Sequence, residues 1–133
     1  MGTINQNNQI ERPDTLPGHT IKLKVNTSKG DEFKLYITIC HLENQGFEVF
    51  INTKNAELSE HLNSLMVMIS LALRSGVPLS KIAEELKEIC SPFTGHMTKK
   101  GYMSSLYAAI GNVFTDYDSY LKKEQERLNT IEN

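Results

Sequence analysis

The chain has 133 residues, of which 39% are apolar and 23% charged, and its formal net charge is -2. That length holds one domain with a modest core. The charge balance excludes a broadly basic nucleic-acid-binding surface and leaves room only for a local basic site. No run of about 18 apolar residues occurs, which excludes a membrane-spanning helix.

The start, Met1 to Gln6, has neither the basic nor the apolar region of a signal peptide. It also lacks the Ser or Thr that a myristoylation motif places at position 6. Asn26-Thr27-Ser28 matches a glycosylation sequon, which carries no weight without an export signal. A cytoplasmic protein is expected, within the host cytoplasm if the source is a phage. Cys40 and Cys90 form no C-x-x-C pair and no ligand cluster, so reduced, packed thiols are expected and no metal.

Residues 1–18 are polar, rich in Asn and Gln, and broken by Pro13, Pro17 and Gly18; they read as a flexible or loosely docked arm. A domain is expected over 19–122. Ile21, Leu23 and Val25 alternate with Thr20, Lys22 and Lys24, a period of two with one wet face. After the turn signal Ser28-Lys29-Gly30-Asp31, Phe33, Leu35, Ile37 and Ile39 alternate with Lys34, Tyr36 and Thr38. Glu43-Asn44-Gln45-Gly46 is a second turn. Phe47, Val49 and Ile51 then share a face opposite Glu48, Phe50 and Asn52. Short connections between such strands predict an antiparallel meander, with Ile21, Leu23, Leu35, Ile37, Val49 and Ile51 facing helices.

From about Ala56 to Ser75 the period becomes helical, with Leu58, Leu62, Leu65, Met66, Ile69 and Leu73 near one stripe and Gly76 as the stop. Met68, Leu71 and Ala72 widen that stripe beyond what one sheet face covers, so a homo-oligomer is expected. A second helix is predicted from Ser80, as N-cap, to Ile89. Residues 91–103 read as a loop. A third helix starts near Ser104 or Ser105 and turns Leu106, Ala109, Ile110, Val113, Phe114 and Tyr117 inward. Beyond Leu121 the chain is highly charged, and 123–133 reads as a solvated helical end. The fold class is α+β.

His19, His41, His61 and His96 are scattered over different elements and belong to no Ser/His/Asp or Cys/His signature, so no catalytic site is expected. The loop before the third helix offers the first candidate site. Thr94, His96, Lys99, Lys100, Ser104 and Ser105 would bring hydroxyls and positive charge to a helix N-terminus, where exposed N–H groups favour phosphate. The plainer reading is that the serines only cap the helix and the lysines are solvated. This is not a P-loop, because the Gly spacing and the Gly-Lys-Ser/Thr ending are absent. The second candidate is Asn52-Thr53-Lys54-Asn55, with Lys54 and Asn55 as ligand groups; there Thr53 or Asn55 could instead cap the first helix. Arg74 could hold a phosphate as a fork or simply meet the helix dipole. Phe93, Tyr102 and Tyr107 could stack on a base or pack in the core.

Several segments together resemble a known family. Arg12-Pro13-Asp14-Thr15-Leu16-Pro17-Gly18-His19-Thr20-Ile21-Lys22-Leu23-Lys24 resembles the start of the TSCPD domain of adenosylcobalamin-dependent, class II, ribonucleotide reductases. Leu35 to Ile39 resembles its second strand. Phe47-Glu48-Val49-Phe50-Ile51-Asn52-Thr53-Lys54-Asn55-Ala56-Glu57 is the most specific match, and Ile82 to Lys87 and Ser105 to Gly111 continue it in order. The chain departs from the pattern in lacking the Thr-Ser-Cys-Pro-Asp string and any reductase barrel, so reductase chemistry does not carry over. A second similarity is architectural: phage anti-Thoeris proteins that sequester a cyclic ADP-ribose signal share this size and order of elements, and they are oligomeric.

These resemblances imply a non-enzymatic module that needs no cofactor and holds a phosphorylated, nucleotide-derived small molecule, as a phage sponge for an immune signal would. The alternative is an accessory or regulatory domain acting with a class II reductase. Neither a membrane nor a nucleic-acid polymer is implied as partner.

Overall fold

The computed structural model describes residues 10–27, 30–91, 94–98, 101–103 and 105–132. Three strands, β1 (Gly18–Asn26), β2 (Glu32–Leu42) and β3 (Gln45–Asn52), form an antiparallel sheet in the order β1-β2-β3. Helices α1 (Ala56–Arg74) and α2 (Leu79–Lys87) follow, then a short hairpin of β4 (His96–Thr98) and β5 (Gly101–Met103), and then α3 (Leu106–Glu132). The architecture is α+β, as the change of hydrophobic period predicts.

Alternation sets the two faces of the sheet. Leu35, Ile37, Ile39, Val49 and Ile51 are buried in the main core, and Ile21 and Leu23 pack against it half-buried. Leu62, Met66, Ile69 and Leu73 of α1 join them, with Leu106, Ile110, Phe114, Tyr117 and Leu121 of α3. The opposite face carries Lys22, Lys24, Lys34, Tyr36 and Phe50, all exposed. Thr20 and Thr38 on that face join their hydroxyls at 2.9 Å.

The β2–β3 connection is a tight two-residue turn with positive φ at Glu43 (53°) and Asn44 (65°). This primed geometry matches the twist of the flanking strands. Asn44 Nδ2 donates to Gln125 Oε1 at 2.6 Å, which ties the turn to α3.

At the sheet's β3 edge, the buried Ser70 hydroxyl of α1 accepts from the Val49 N–H at 3.0 Å and donates to the Val49 carbonyl at 3.2 Å. One side chain thereby satisfies both backbone groups at the middle of an edge strand, groups that would otherwise lack a ladder partner.

The helices differ from expectation at their ends. α2 starts at Leu79 with Pro78 as N-cap and no side-chain cap bond. Ser80 therefore lies inside the helix: Leu79 is buried, and anchoring it moves the start forward. Residues 91–103, expected as loop, contain the β4–β5 hairpin, whose three-residue strands are too short to show an alternation. α2 and α3 pack closely at Gly111, where an added Cβ would lie 2.9 Å from the Ala83 carbonyl oxygen. Beyond Leu121, α3 is mostly solvent-exposed.

Met66 is buried within the chain's own core, whereas Val67, Met68 and Leu71 point outward, Met68 being 61% exposed. Part of the wide apolar stripe is thus uncovered in the single chain.

Candidate functional site

The start of α3 is closed by the protein itself. Ser105 Oγ, fully buried, accepts from the Ala108 N–H at 2.9 Å and donates to the Ile89 carbonyl at 2.6 Å. Thr94 Oγ1 accepts from the Leu106 N–H at 3.1 Å. Two of the first-turn donors that a phosphate would use are therefore occupied, and the capping alternative describes Ser105 and Thr94. His96 lies in β4; Lys99, Lys100 and Ser104 lie outside the described residues.

Arg74 is engaged as well. Its Nη2 lies 2.9 Å from Glu48 Oε2, while Arg12 places Nε and Nη2 each 2.8 Å from Glu48 Oε1. Glu48 falls on the outer face by alternation, yet it is only 1% exposed, because the two arginines enclose it. The Arg74 guanidinium also sits 5.5 Å from the centre of the Phe47 ring, within cation–π range. Its fork thus holds a carboxylate of the same chain in place of the phosphate expected of it. The buried Arg74 Nε has no hydrogen-bond partner among the described residues. Arg12 further donates to the carbonyls of Pro13 and Asp14, and the Ile10 N–H donates to the Arg74 carbonyl. Residues 10–17 of the expected arm are therefore docked by a clamp of three side chains.

Lys54 and Asn55 come together with side chains of β2 and β3. An open cleft of about 560 Å³ at the end of the outer face is lined by Glu32, Lys34, Tyr36, Asn52, Thr53, Lys54 and Asn55, with Phe33 below. Asn55 is the N-cap of α1, its Oδ1 accepting from the Leu58 N–H at 3.0 Å, a bond that does not use its carboxamide N–H₂. Lys34 and Lys54 make no ion pair among the described residues. Lys34 and Tyr36 were findable from sequence: both stand at wet positions of β2, one cationic and one aromatic. Arg74 lines a different groove, with Phe50, Val67 and Leu71.

A third cluster joins β1, β2 and α3. His41 Nδ1 lies 2.6 Å from the Tyr117 hydroxyl, and the His19 ring packs against Tyr117 and Tyr120 at centroid separations of 5.4 and 4.7 Å. Burial pushes the Tyr117 hydroxyl up to about 12, so it keeps its proton. Burial, helped by the neighbouring His19, holds His41 below the ordinary imidazole value of 6.5. Because His41 binds its proton more weakly when folded, its contribution to stability is complete above pH 6.5 and is lost as the pH falls through the folded value. Melting temperatures measured between pH 7 and pH 5 are expected to fall on acidification, and to fall less steeply in His41→Gln. Equal slopes would remove His41 as the cause.

Burial also raises the Cys40 thiol, with the Glu48 carboxylate adding to the effect. Cys40 is thereby held as a protonated thiol, a poor nucleophile. Among the described residues no group of three His, Cys, Asp or Glu side chains could hold a metal ion, and no helix is long and apolar enough to cross a membrane.

The fold and its clamp define a small α+β module: a meander sheet layered on helices, with its N-terminal segment locked to the outer face through Glu48. The chain belongs to the TSCPD domain family, whose model matches residues 10–118. The match begins at the docked segment and includes all three clamp residues, Arg12, Glu48 and Arg74. Neither the curated proteins nor the solved structures gave a match to the chain.

Proposed function

We propose that this protein is a non-enzymatic binding module that captures a phosphorylated, nucleotide-derived small molecule in the Lys34–Lys54 cleft. One observation carries the reading: two lysines without ion-pair partners among the described residues, an exposed tyrosine and two asparagines converge on one open cleft. Lysine ammonium groups suit phosphate, tyrosine suits a base, and carboxamides suit base edges or ribose. Capture is stoichiometric, as in a sponge for a cyclic immune signal, and the ligand leaves unchanged. The reading includes self-association through the outward apolar side of α1 at Val67, Met68 and Leu71, which light scattering on the same samples measures. His96, Lys99, Lys100 and Ser104 belong to it only as a second anion site.

Calorimetry against cyclic ADP-ribose isomers, cyclic di- and trinucleotides and dNTPs tests the reading. Removing a charge-assisted hydrogen bond costs about 1.5–3 kcal/mol, so Lys34→Ala and Lys54→Ala are each expected to weaken binding by roughly ten- to a hundredfold. The ligand is expected back intact after denaturation. Absence of binding to the whole panel, or binding indifferent to both lysines, overturns the proposal.

The family match favours a second reading, since TSCPD domains are associated with ribonucleotide reductases. The protein would then act as an accessory or regulatory domain through protein contact, and a reductase gene beside its own would favour that.

A further inference from the structure

We propose that the outer sheet face beyond the cleft is a platform for at least two linked nucleotides, with bases on Tyr36 and Phe50 and phosphates on the lysines of β1 and β2. The inference rests on the cleft being a nucleotide site and names the ligand class it takes.

The register places these groups. Lys22 stands opposite Tyr36, Lys24 opposite Lys34, and Phe50 opposite Thr38, all on one face. Tyr36 and Phe50 are therefore diagonal neighbours on adjacent strands, about 7–8 Å apart at the backbone. Both residues are open to solvent, Tyr36 43% and Phe50 52% exposed, with Phe50 at the rim of the groove that Val67 and Leu71 line. Base stacking on exposed aromatics is sequence-tolerant and contributes about 1–3 kcal/mol per base.

Charge completes the argument. Lys24 and Lys34 lie directly opposite one another, a like-charge pairing that is unfavourable in isolation and that a phosphate between them would reverse. Lys22, Lys24 and Lys34 have no ion-pair partner among the described residues. The Glu48 carboxylate on the same face is already neutralised by Arg12 and Arg74, and Glu32 lines the cleft itself, one carboxylate against Lys22, Lys24, Lys34 and Lys54. The face is thus a local cationic strip with two stacking rings on a chain whose overall charge is -2. Phe50 and Lys22 lie outside the cleft lining, so a ligand with a second base and phosphate is the one that gains from them.

The test compares adenosine 5'-monophosphate with the linear dinucleotide pApA by calorimetry. Wild type is expected to bind pApA at least tenfold more tightly. In the triple variant Lys22→Ala, Lys24→Ala, Phe50→Ala that ratio is expected to fall to about one. All three side chains are exposed, so an unchanged melting temperature confirms that the variant is folded. A wild-type ratio near one, or a ratio that survives the triple substitution, overturns the platform and leaves the cleft standing. Conversely, pApA binding that is indifferent to both Lys34 and Lys54 overturns the cleft and, with it, the platform. A ten-nucleotide adenine strand distinguishes the source: affinity well above that of pApA assigns a strand segment, and equal affinity a free dinucleotide.

Discussion

Glu48→Ala is expected to lower the stability of the protein by about 3 kcal/mol, near the bottom of the range for breaking a buried ion pair from one side. The wild-type carboxylate is 1% exposed and meets Arg12 and Arg74 at 2.8–2.9 Å, so its removal leaves two guanidiniums facing each other without a counter-charge. The low end applies because the arginine side chains are 42% and 31% exposed and can rehydrate. The effect reaches beyond the pair, since Arg12 is the anchor of residues 10–17. Thermal melts and limited proteolysis of that segment measure both consequences together. Glu48→Gln keeps the shape but not the charge and is expected to recover only part of the loss. An alanine variant within about 0.5 kcal/mol of wild type would show that the clamp is ornamental, as surface substitutions are.

Gly111→Val is expected to cost about as much, for the opposite reason. Nothing is removed; two helices are forced apart. A Cβ at position 111 would meet the Ala83 carbonyl oxygen at 2.9 Å, Lys87 Cγ at 3.1 Å and Leu86 Cβ at 3.2 Å. The lysine stem can move, but the carbonyl is helix backbone and cannot move without shifting α2. Overpacking of this kind costs about 1–3 kcal/mol, and a branched residue lies toward the top of that range. Replacing a helical glycine returns up to about 1 kcal/mol of backbone propensity, so Gly111→Ala is expected to lose less than Val. Chemical denaturation of the two variants checks the order. A Val variant as stable as wild type would mean that the α2–α3 approach is looser than it looks.

The sheet and its inner face were legible in the sequence because a strict period of two runs through all three strands. The same alternation placed Lys22, Lys24, Lys34, Tyr36 and Phe50 outward, as observed. It failed at Glu48, because alternation reports which face a residue occupies and not what covers that face. The partners that bury it lie 36 residues before and 26 after it, and no local pattern links them. The pairing of Arg74 with Glu48 is hidden from the sequence for the same reason. Ser105 caps α3, as local hydrogen-bond chemistry favours at helix starts, and Asn55 caps α1 while also lining the cleft. The β4–β5 hairpin escaped because three residues cannot establish a period. The cleft was half visible: Lys54 and Asn55 stood out at a strand-to-helix junction, whereas Lys34 and Tyr36 joined them only through strand register.

The two bonds between Ser70 and Val49 bear on how this protein survives at high concentration. A free sheet edge is a template on which a neighbouring chain can add a strand, the first step toward fibrous aggregates. Here one hydroxyl occupies both the donor and the acceptor at the middle of that edge. A strand from a second copy therefore finds no free backbone partner at Val49, the centre of the edge, which interrupts any continuous ladder across β3.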